Sequence, residues 1–318
     1  MTASVNMVAL VEDYLAHRRR LGYMLRDTGD QLRQFARYAD HCGHRGPLTV
    51  DLAVRWARMP KHTKPQWWAR RLGFVRGFAQ YRSLFDPATE IPPAQLLGSA
   101  RSRCTPHIYS EAEIVALLSA AAALGPKGGL RPHTYVALLG LLASSGLRIS
   151  EALHLTNADV DLDAGILTII QTKFRKSRLV PLHLTAALAL RRYVERRDRY
   201  CPRLPAKTFF LHENGAPVGY GAVKKAFDIL RRQLGWTKGP NGRRPRIHDL
   251  RHAMAVRRLL RWYQEGADVG CKIAALATYL GHVEVTDTYW YLTAVPELMA
   301  LGSTRFESYV AAIGGRNE

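Results

Sequence analysis

One stretch whose residues could do chemistry lies near the C-terminus, where Tyr289 and Tyr291 follow His282 in LGHVEVTDTYWYLT. A tyrosine hydroxyl has an ordinary pKa of about 10, so it becomes a nucleophile when it loses its proton as it attacks. Residues two apart on a helix point about 200° apart, since a turn holds roughly 3.6 residues. If this stretch is helical, one tyrosine enters a pocket and the other packs elsewhere.

An arginine and a glutamate lie three residues apart in the stretch SSGLRISEAL, where a glycine-containing turn leads into a predicted helix. Arg148 stands at the predicted helix start, and an arginine near free backbone N–H groups can hold an oxyanion. Glu151 is spaced to support its guanidinium. A surface ion pair is the commoner meaning of this pattern, so the stretch alone does not establish a site.

A predicted β-hairpin carries a basic tip. The β-prone residues of ILTII and of LV flank the segment QTKFRKSR, in which Lys173 follows the first strand. A lysine on a short hairpin can protonate a leaving oxygen in a groove. A solvated basic turn is the alternative, and Lys176 stands close enough to compete for the role.

The stretch RIHDLRHAMAV places His248 and Arg251 on one face of a predicted helix. This pair suits a phosphodiester, because the arginine neutralises a non-bridging oxygen and the histidine exchanges a proton. His252 lies off that face. With His282 these histidines resemble a metal site, but no carboxylate or cysteine accompanies them at ligand spacing, so we predict no metal.

The order of these stretches resembles the tyrosine recombinase family, the site-specific DNA recombinases of the phage-integrase and Xer type. The resemblance rests on the arginine of GLRISEAL, the hairpin lysine, His-x-x-Arg, and LGH with a tyrosine nine residues later. It covers the whole second domain in order and spacing. It implies six catalytic residues, with Glu151 in support: Arg148, Lys173, His248, Arg251, His282 and Tyr291.

The resemblance also implies a reaction. Tyr291 attacks a DNA phosphodiester and retains the 3′ side as a phosphotyrosyl ester, while the two arginines clamp the non-bridging oxygens. Lys173 is the general acid for the departing 5′ oxygen. His248 accepts the tyrosine proton, and His282 donates a hydrogen bond to the phosphate. No cofactor, metal or nucleotide is expected.

Composition agrees with a partner that is a polyanion. Lysine and arginine number 46 against 26 aspartates and glutamates, a formal charge of +20. Such an excess on a chain that otherwise reads as globular favours nucleic acid, although an arginine-rich proteome is the alternative. No apolar run is long enough for a membrane helix, and the first 20 residues do not read as a signal peptide. We expect a cytoplasmic, nucleoid-associated protein with reduced cysteines.

The expected fold is mainly α with a small β-hairpin. Residues 1–95 read as a helical, SAM-like core-binding bundle, residues 96–109 as a linker, and residues 110–318 as the catalytic domain with a C-terminal helical tail. Thr49 is predicted to cap a helix, and Ser110 with Glu113 forms a predicted capping box.

Double-stranded DNA is the expected partner, with the two domains clamping the duplex. The resemblance implies a dimer on each site and a tetramer in the synapse, with the tail packing into a neighbouring protomer. Accessory DNA-bending proteins are further candidate partners. The basic residues predicted to contact DNA are Arg18, Arg19, Arg20, Arg70, Arg71, Arg175, Lys176, Arg243 and Arg244.

The biological role expected from this reading is DNA recombination in the integration, excision or transposition of a mobile element. The sequence does not separate a phage integrase from a transposon recombinase or a chromosome-dimer resolvase. Two other readings stay open. One is a type IB topoisomerase-like or telomere-resolving enzyme with the same chemistry, and the other is a non-catalytic DNA-binding protein of the same fold.

Overall fold

The computed structural model describes residues 6–100, 105–170, 177–202, 207–239 and 242–293. The chain divides into two compact units, Met1–Cys104 and Thr105–Glu318. The limits 1–95, 96–109 and 110–318 remain predictions. None of the helices in the described ranges combines the length and apolarity needed to cross a membrane.

Over residues 6–100, the described part of the first unit, four helices surround one apolar core: α1 (Met7–Arg20), α2 (Arg26–His41), α3 (Val50–Arg58) and α4 (Pro65–Arg82). Thr49 caps α3 as predicted, because its side chain accepts a hydrogen bond from the Leu52 N–H at 3.2 Å. Proline begins α4, a position where a helix needs no N–H donor. Phe35 and Trp56 meet edge to face at 5.4 Å between ring centroids in the core.

The second unit is mainly helical. It begins with α5, which starts at the predicted capping box: Ser110 and Glu113 exchange side-chain to backbone hydrogen bonds of 3.1 and 2.8 Å. Its helices are α5 (Glu111–Ala122), α6 (Leu130–Ser145), α7 (Ile149–His154), α8 (Leu184–Tyr200), α9 (Tyr220–Gln233), α10 (Asp249–Gln264), α11 (Val269–Leu280) and α12 (Thr286–Thr293).

A small antiparallel sheet packs on this helical core, with strand order β1 (Val160–Asp161), β2 (Ile166–Ile169) and β3 (Arg178–Pro181). The predicted hairpin between β2 and β3 is confirmed, and β1 adds a third strand. Leu167 pairs with Val180 and both side chains are buried. Ile169 pairs with Arg178, so Arg178 stands where the hairpin leaves the sheet.

Two helices end at glycines that lie next to candidate catalytic residues in the sequence. Gly146 follows α6 with φ 64°, and Gly281 follows α11 with φ 68°. This left-handed backbone closes a helix at little cost only for glycine. A Cβ at Gly281 would also lie 2.7 Å from the Arg178 guanidinium. The backbone carbonyls at these two helix ends accept hydrogen bonds from Arg148 and Arg251.

Candidate active site

Arg148 lies between α6 and α7, at the N-cap of α7. Its backbone N–H donates to Glu151 Oε2 at 3.0 Å, and its Nη1 donates to Oε1 of the same carboxylate at 2.8 Å. Its Nη2 donates to the Gly281 carbonyl at 2.9 Å. The predicted support of Arg148 by Glu151 is therefore present as a two-point contact.

Glu151 also binds a second arginine, which the sequence alone did not single out. Arg178 donates to both carboxylate oxygens at 3.1 and 2.8 Å, and its Nε donates to the Tyr279 carbonyl at 2.8 Å. Burial raises the pKa of Glu151, but the hydrogen bonds from Arg178 and Arg148 outweigh it and hold that pKa below its usual value. The carboxylate is thus ionised and joins β3 to the start of α7.

Arg251 is buried in the first turn of α10, with 2% of its surface exposed. It donates from Nη1 to the Gly146 carbonyl at 2.7 Å and from Nη2 to the Leu280 carbonyl at 2.6 Å. Helix C-terminal carbonyls carry partial negative charge, so they hold two guanidiniums that would otherwise repel. Burial, followed by the charge of Arg148, lowers the pKa of Arg251 to about 10, and it stays cationic near neutrality.

The two tyrosines separate as the helical geometry predicts. Tyr291 is 2% exposed, whereas Tyr289 is 47% exposed. Burial raises the pKa of Tyr291, and the nearby charge of Arg251 partly offsets that rise. Of the two tyrosines, only Tyr291 faces the arginines.

The Tyr291 hydroxyl meets His252, not the predicted His248. His252 Nδ1 lies 3.1 Å from Tyr291 Oη, and the His252 and His248 rings contact edge to face at 4.8 Å. His252 was passed over because it lies off the face shared by His248 and Arg251. The position of His252 in the sequence does not predict its contact with Tyr291, because that contact depends on how α12 packs across α10.

His282 lies over the same tyrosine, with ring centroids 6.2 Å apart and planes tilted by 26°. Its Nδ1 is 2.7 Å from the hydroxyl of Thr288, which is fully buried. That contact orients the ring and leaves Nε2 for another partner. Thr288 is a further residue that sequence reasoning missed.

All three histidines are poor bases in the DNA-free protein. Part of the His248 side chain is exposed to solvent. Desolvation of its ring by the surrounding protein, followed by the positive charge of Arg251, nevertheless lowers its pKa to about 4. Burial likewise lowers the pKa of His252 to about 3 and that of His282 to about 4, with neighbouring cations adding to the effect. At neutral pH these rings are uncharged and the pocket's positive charge resides on its arginines. The arrangement suits binding of an anionic phosphodiester beside Tyr291.

The predicted lysine and two hairpin residues, Lys173, Arg175 and Lys176, lie outside the described residues. Five of the remaining predicted DNA contacts have exposed side chains: Arg19, Arg20, Arg70, Arg243 and Arg244. Arg18 is half-buried and stacks on the Tyr23 ring at 3.9 Å.

Arg71 requires a correction, because the structure gives it a role inside the first unit. Only 7% of Arg71 is exposed, its guanidinium stacks on the Trp56 ring at 3.8 Å, and Nη2 donates to the Trp56 carbonyl at 2.9 Å. Burial lowers the pKa of this arginine. A side chain held this way stabilises the junction of α3 and α4 and is not available to a phosphate.

The fold and this tyrosine–arginine–histidine pocket define a class of protein suited to attack on a phosphodiester. Residues 109–297 match the phage integrase family. An integrase/recombinase-named protein of Sinorhizobium fredii, y4rB, is 44% identical over 93% of this chain and 96% of its own. Tyrosine recombinase XerC of Chlamydia caviae is 29% identical over 70% and 67% of the two chains.

A solved structure of the Tn1549 transposon integrase in complex with transposon right end DNA shares the fold. Its TM-score is 0.67 at 18% identity, over 90% of this chain and 94% of that one. The chain belongs to the phage integrase family, the tyrosine recombinases, whose enzymes cleave and rejoin DNA.

Proposed function

We propose that this protein is a site-specific DNA recombinase that integrates or excises a mobile element through a 3′-phosphotyrosyl intermediate. The observation that carries the proposal is the burial of Tyr291 in a pocket where two arginines are held by adjacent backbone carbonyls, Arg148 by that of Gly281 and Arg251 by that of Leu280. The integrase name of the Sinorhizobium fredii relative and the transposon integrase fold support the mobile-element role.

In the proposed reaction Arg148 and Arg251 bind the non-bridging oxygens of the scissile phosphate. Both are fixed before DNA arrives, so little reorganisation is needed as charge develops. Losing one such donor typically costs about 3–4 kcal/mol of transition-state stabilisation, or roughly a 10²–10³-fold slower reaction. Lys173 is the proposed general acid for the 5′ oxygen, and His282 the proposed hydrogen-bond donor to the phosphate.

The proposed assembly is a dimer on each DNA site and a tetramer in the synapse, because two duplexes exchange strands through four active sites. The exposed arginines, including Arg70 and Arg243, would supply salt-sensitive affinity for the DNA backbone. We infer that the protein acts on nucleoid DNA in the cytoplasm, with DNA-bending proteins as candidate accessories. Truncation after Val295 should leave DNA binding intact and impair synapsis if the tail joins protomers.

Recovery of covalent protein–DNA adducts from a genomic library tests the function and identifies the site together. Wild type and Tyr289→Phe should both yield adducts at one sequence, and Tyr291→Phe should yield none while still binding DNA. Adducts from Tyr291→Phe, or none from wild type, would refute the proposal.

A relaxation assay on supercoiled DNA that lacks the recovered site separates this function from a topoisomerase. A recombinase should need paired sites. Rapid relaxation without any site would instead assign the same chemistry to a type IB topoisomerase-like enzyme.

A further inference from the structure

The Tyr291 hydroxyl has a histidine partner that the family resemblance did not assign. His252 Nδ1 is 3.1 Å from Tyr291 Oη, and its ring meets the tyrosine ring edge to face at 5.4 Å. The His252 ring is wedged between His248, at 4.8 Å, and Trp290, at 5.6 Å. The imidazole is therefore held on the nucleophile by packing on both sides.

We propose that His252, not His248, holds the Tyr291 hydroxyl and accepts its proton during attack on DNA. This inference rests on the proposed function, since it names the base for the same cleavage. A neutral imidazole with its proton on Nε2 offers Nδ1 as an acceptor, which matches the observed contact with a protonated tyrosine.

The step balances with these residues. The Oη–H bond of Tyr291 breaks and its proton moves to His252 Nδ1, while the oxygen forms a bond to phosphorus. The bond from phosphorus to the 5′ oxygen breaks, and that oxygen takes a proton from the proposed acid Lys173. In rejoining, the 5′ hydroxyl returns a proton to Lys173 and attacks phosphorus, and Tyr291 recovers its proton from His252.

The charges around His252 make this transfer depend on bound phosphate. In the DNA-free protein, burial and then the surrounding cationic groups disfavour the imidazolium form. A phosphate between Arg148 and Arg251 would place negative charge beside those groups and raise the basicity of His252. The titratable groups that face it are Arg246, His248 and Arg251 on or before its own helix, His282 from the α11–α12 loop, and Tyr291 from α12. The tyrosine thus stays protonated until DNA occupies the site.

The decisive variant is His252→Asn. Asparagine places Oδ1 where Nδ1 stood, so it retains a hydrogen-bond acceptor for Tyr291 but cannot take the proton. His252→Ala removes both functions, and His248→Asn is the matched comparison on the neighbouring histidine. The probe is a nicked duplex that carries the site recovered from the adduct library, and the readout is the single-turnover rate of covalent adduct formation.

We expect His252→Asn to bind the duplex like wild type and to form adduct about 100-fold more slowly or worse, the usual range for losing a general base. Hydroxide must then remove the tyrosine proton, so the rate of this variant should rise about tenfold per pH unit where wild type is level. His248→Asn should keep the level profile of wild type, even if its rate is lower. If the His252→Asn variant does not bind DNA, His252→Gln is measured with the same readouts.

A probe with sulfur in place of the bridging 5′ oxygen gives a second test, because a thiolate leaves without a general acid. The substitution should speed a Lys173→Ala variant and leave His252→Asn slow. The inference would be overturned if the sulfur probe rescued His252→Asn or if His252→Asn formed adduct at the wild-type rate. It would also be overturned if the tenfold pH slope appeared in His248→Asn and not in His252→Asn. Absence of any wild-type adduct would refute the proposed function itself, which distinguishes the two failures.

Discussion

Replacing Arg178 with methionine should destabilise the second unit and disorganise the site. The guanidinium makes three hydrogen bonds, two to Glu151 and one to the Tyr279 carbonyl, at 2.8–3.1 Å. The side chains of Arg178 and Glu151 are 11% and 5% exposed, so the pair is shielded from water. Removing one partner of a buried pair costs about 3–5 kcal/mol. We expect about 3 kcal/mol, because Arg148 still binds the carboxylate.

The pH dependence of this loss follows from Glu151. Its pKa is depressed in the folded protein, so its contribution to stability is present above the ordinary carboxyl pKa of about 4.3. That contribution is lost as the pH falls through the folded-state pKa. Arg178→Met should therefore differ from wild type most at neutral pH and least at strongly acid pH.

Hydrogen exchange of the intact chain in increasing urea can measure this loss, because peptides from α7 and α12 report the second unit alone. Arg191→Met is the matched control. Arg191 pairs with Asp163 at 2.8 Å, but both side chains are exposed, and such pairs contribute about 0–1 kcal/mol. A loss in Arg178→Met no greater than in this control, or a loss independent of pH, would refute the reasoning.

Three further predictions test other parts of the structure. Thr288→Val removes the hydroxyl that orients His282 and should slow adduct formation by up to about tenfold, from a hydrogen bond of about 1 kcal/mol, with DNA binding unchanged. Single-turnover rates of the valine and serine variants check this, since serine should restore the rate. Gly281→Ala should lower the free energy of unfolding, measured by urea titration, by more than about 1 kcal/mol, because its φ is 68° and the new Cβ crowds a guanidinium. Arg71→Ala should lower the stability of the first unit without changing the salt dependence of DNA binding, whereas Arg70→Ala should reduce the salt slope by about 1 in gel-shift titrations. Equal salt slopes for these two variants would contradict the reassignment of the buried arginine.

Local sequence signals predicted much of the fold correctly. The Thr49 cap, the capping box at Ser110 and the β2–β3 hairpin are all confirmed. Each depends on residues that are neighbours along the chain, where helix and strand periodicity applies. The same logic separated Tyr289 from Tyr291, because direction around a helix follows from spacing alone. The catalytic roles of the six family residues stay predictions.

The errors and omissions concern contacts between distant segments. Arg71 shares a helix with exposed Arg70, and only the packing of α4 against Trp56 makes it internal. Arg178 reaches Glu151 across 27 residues, and its basic neighbours in the sequence suggested a solvated hairpin instead. No local pattern encodes which side chain will fill a space between two elements.

By itself the sequence determined the kinds of residue available for chemistry, their order, and the helices and hairpin that carry them. Tertiary structure decided which of them meet. His252 and Tyr291 are 39 residues apart, and Arg251 and Gly146 are 105 apart. Such meetings depend on how α10, α11 and α12 pack around the shared core. The physical reason is that hydrogen bonds and charge act over a few ångströms in space, while spacing along a chain specifies direction only within one element.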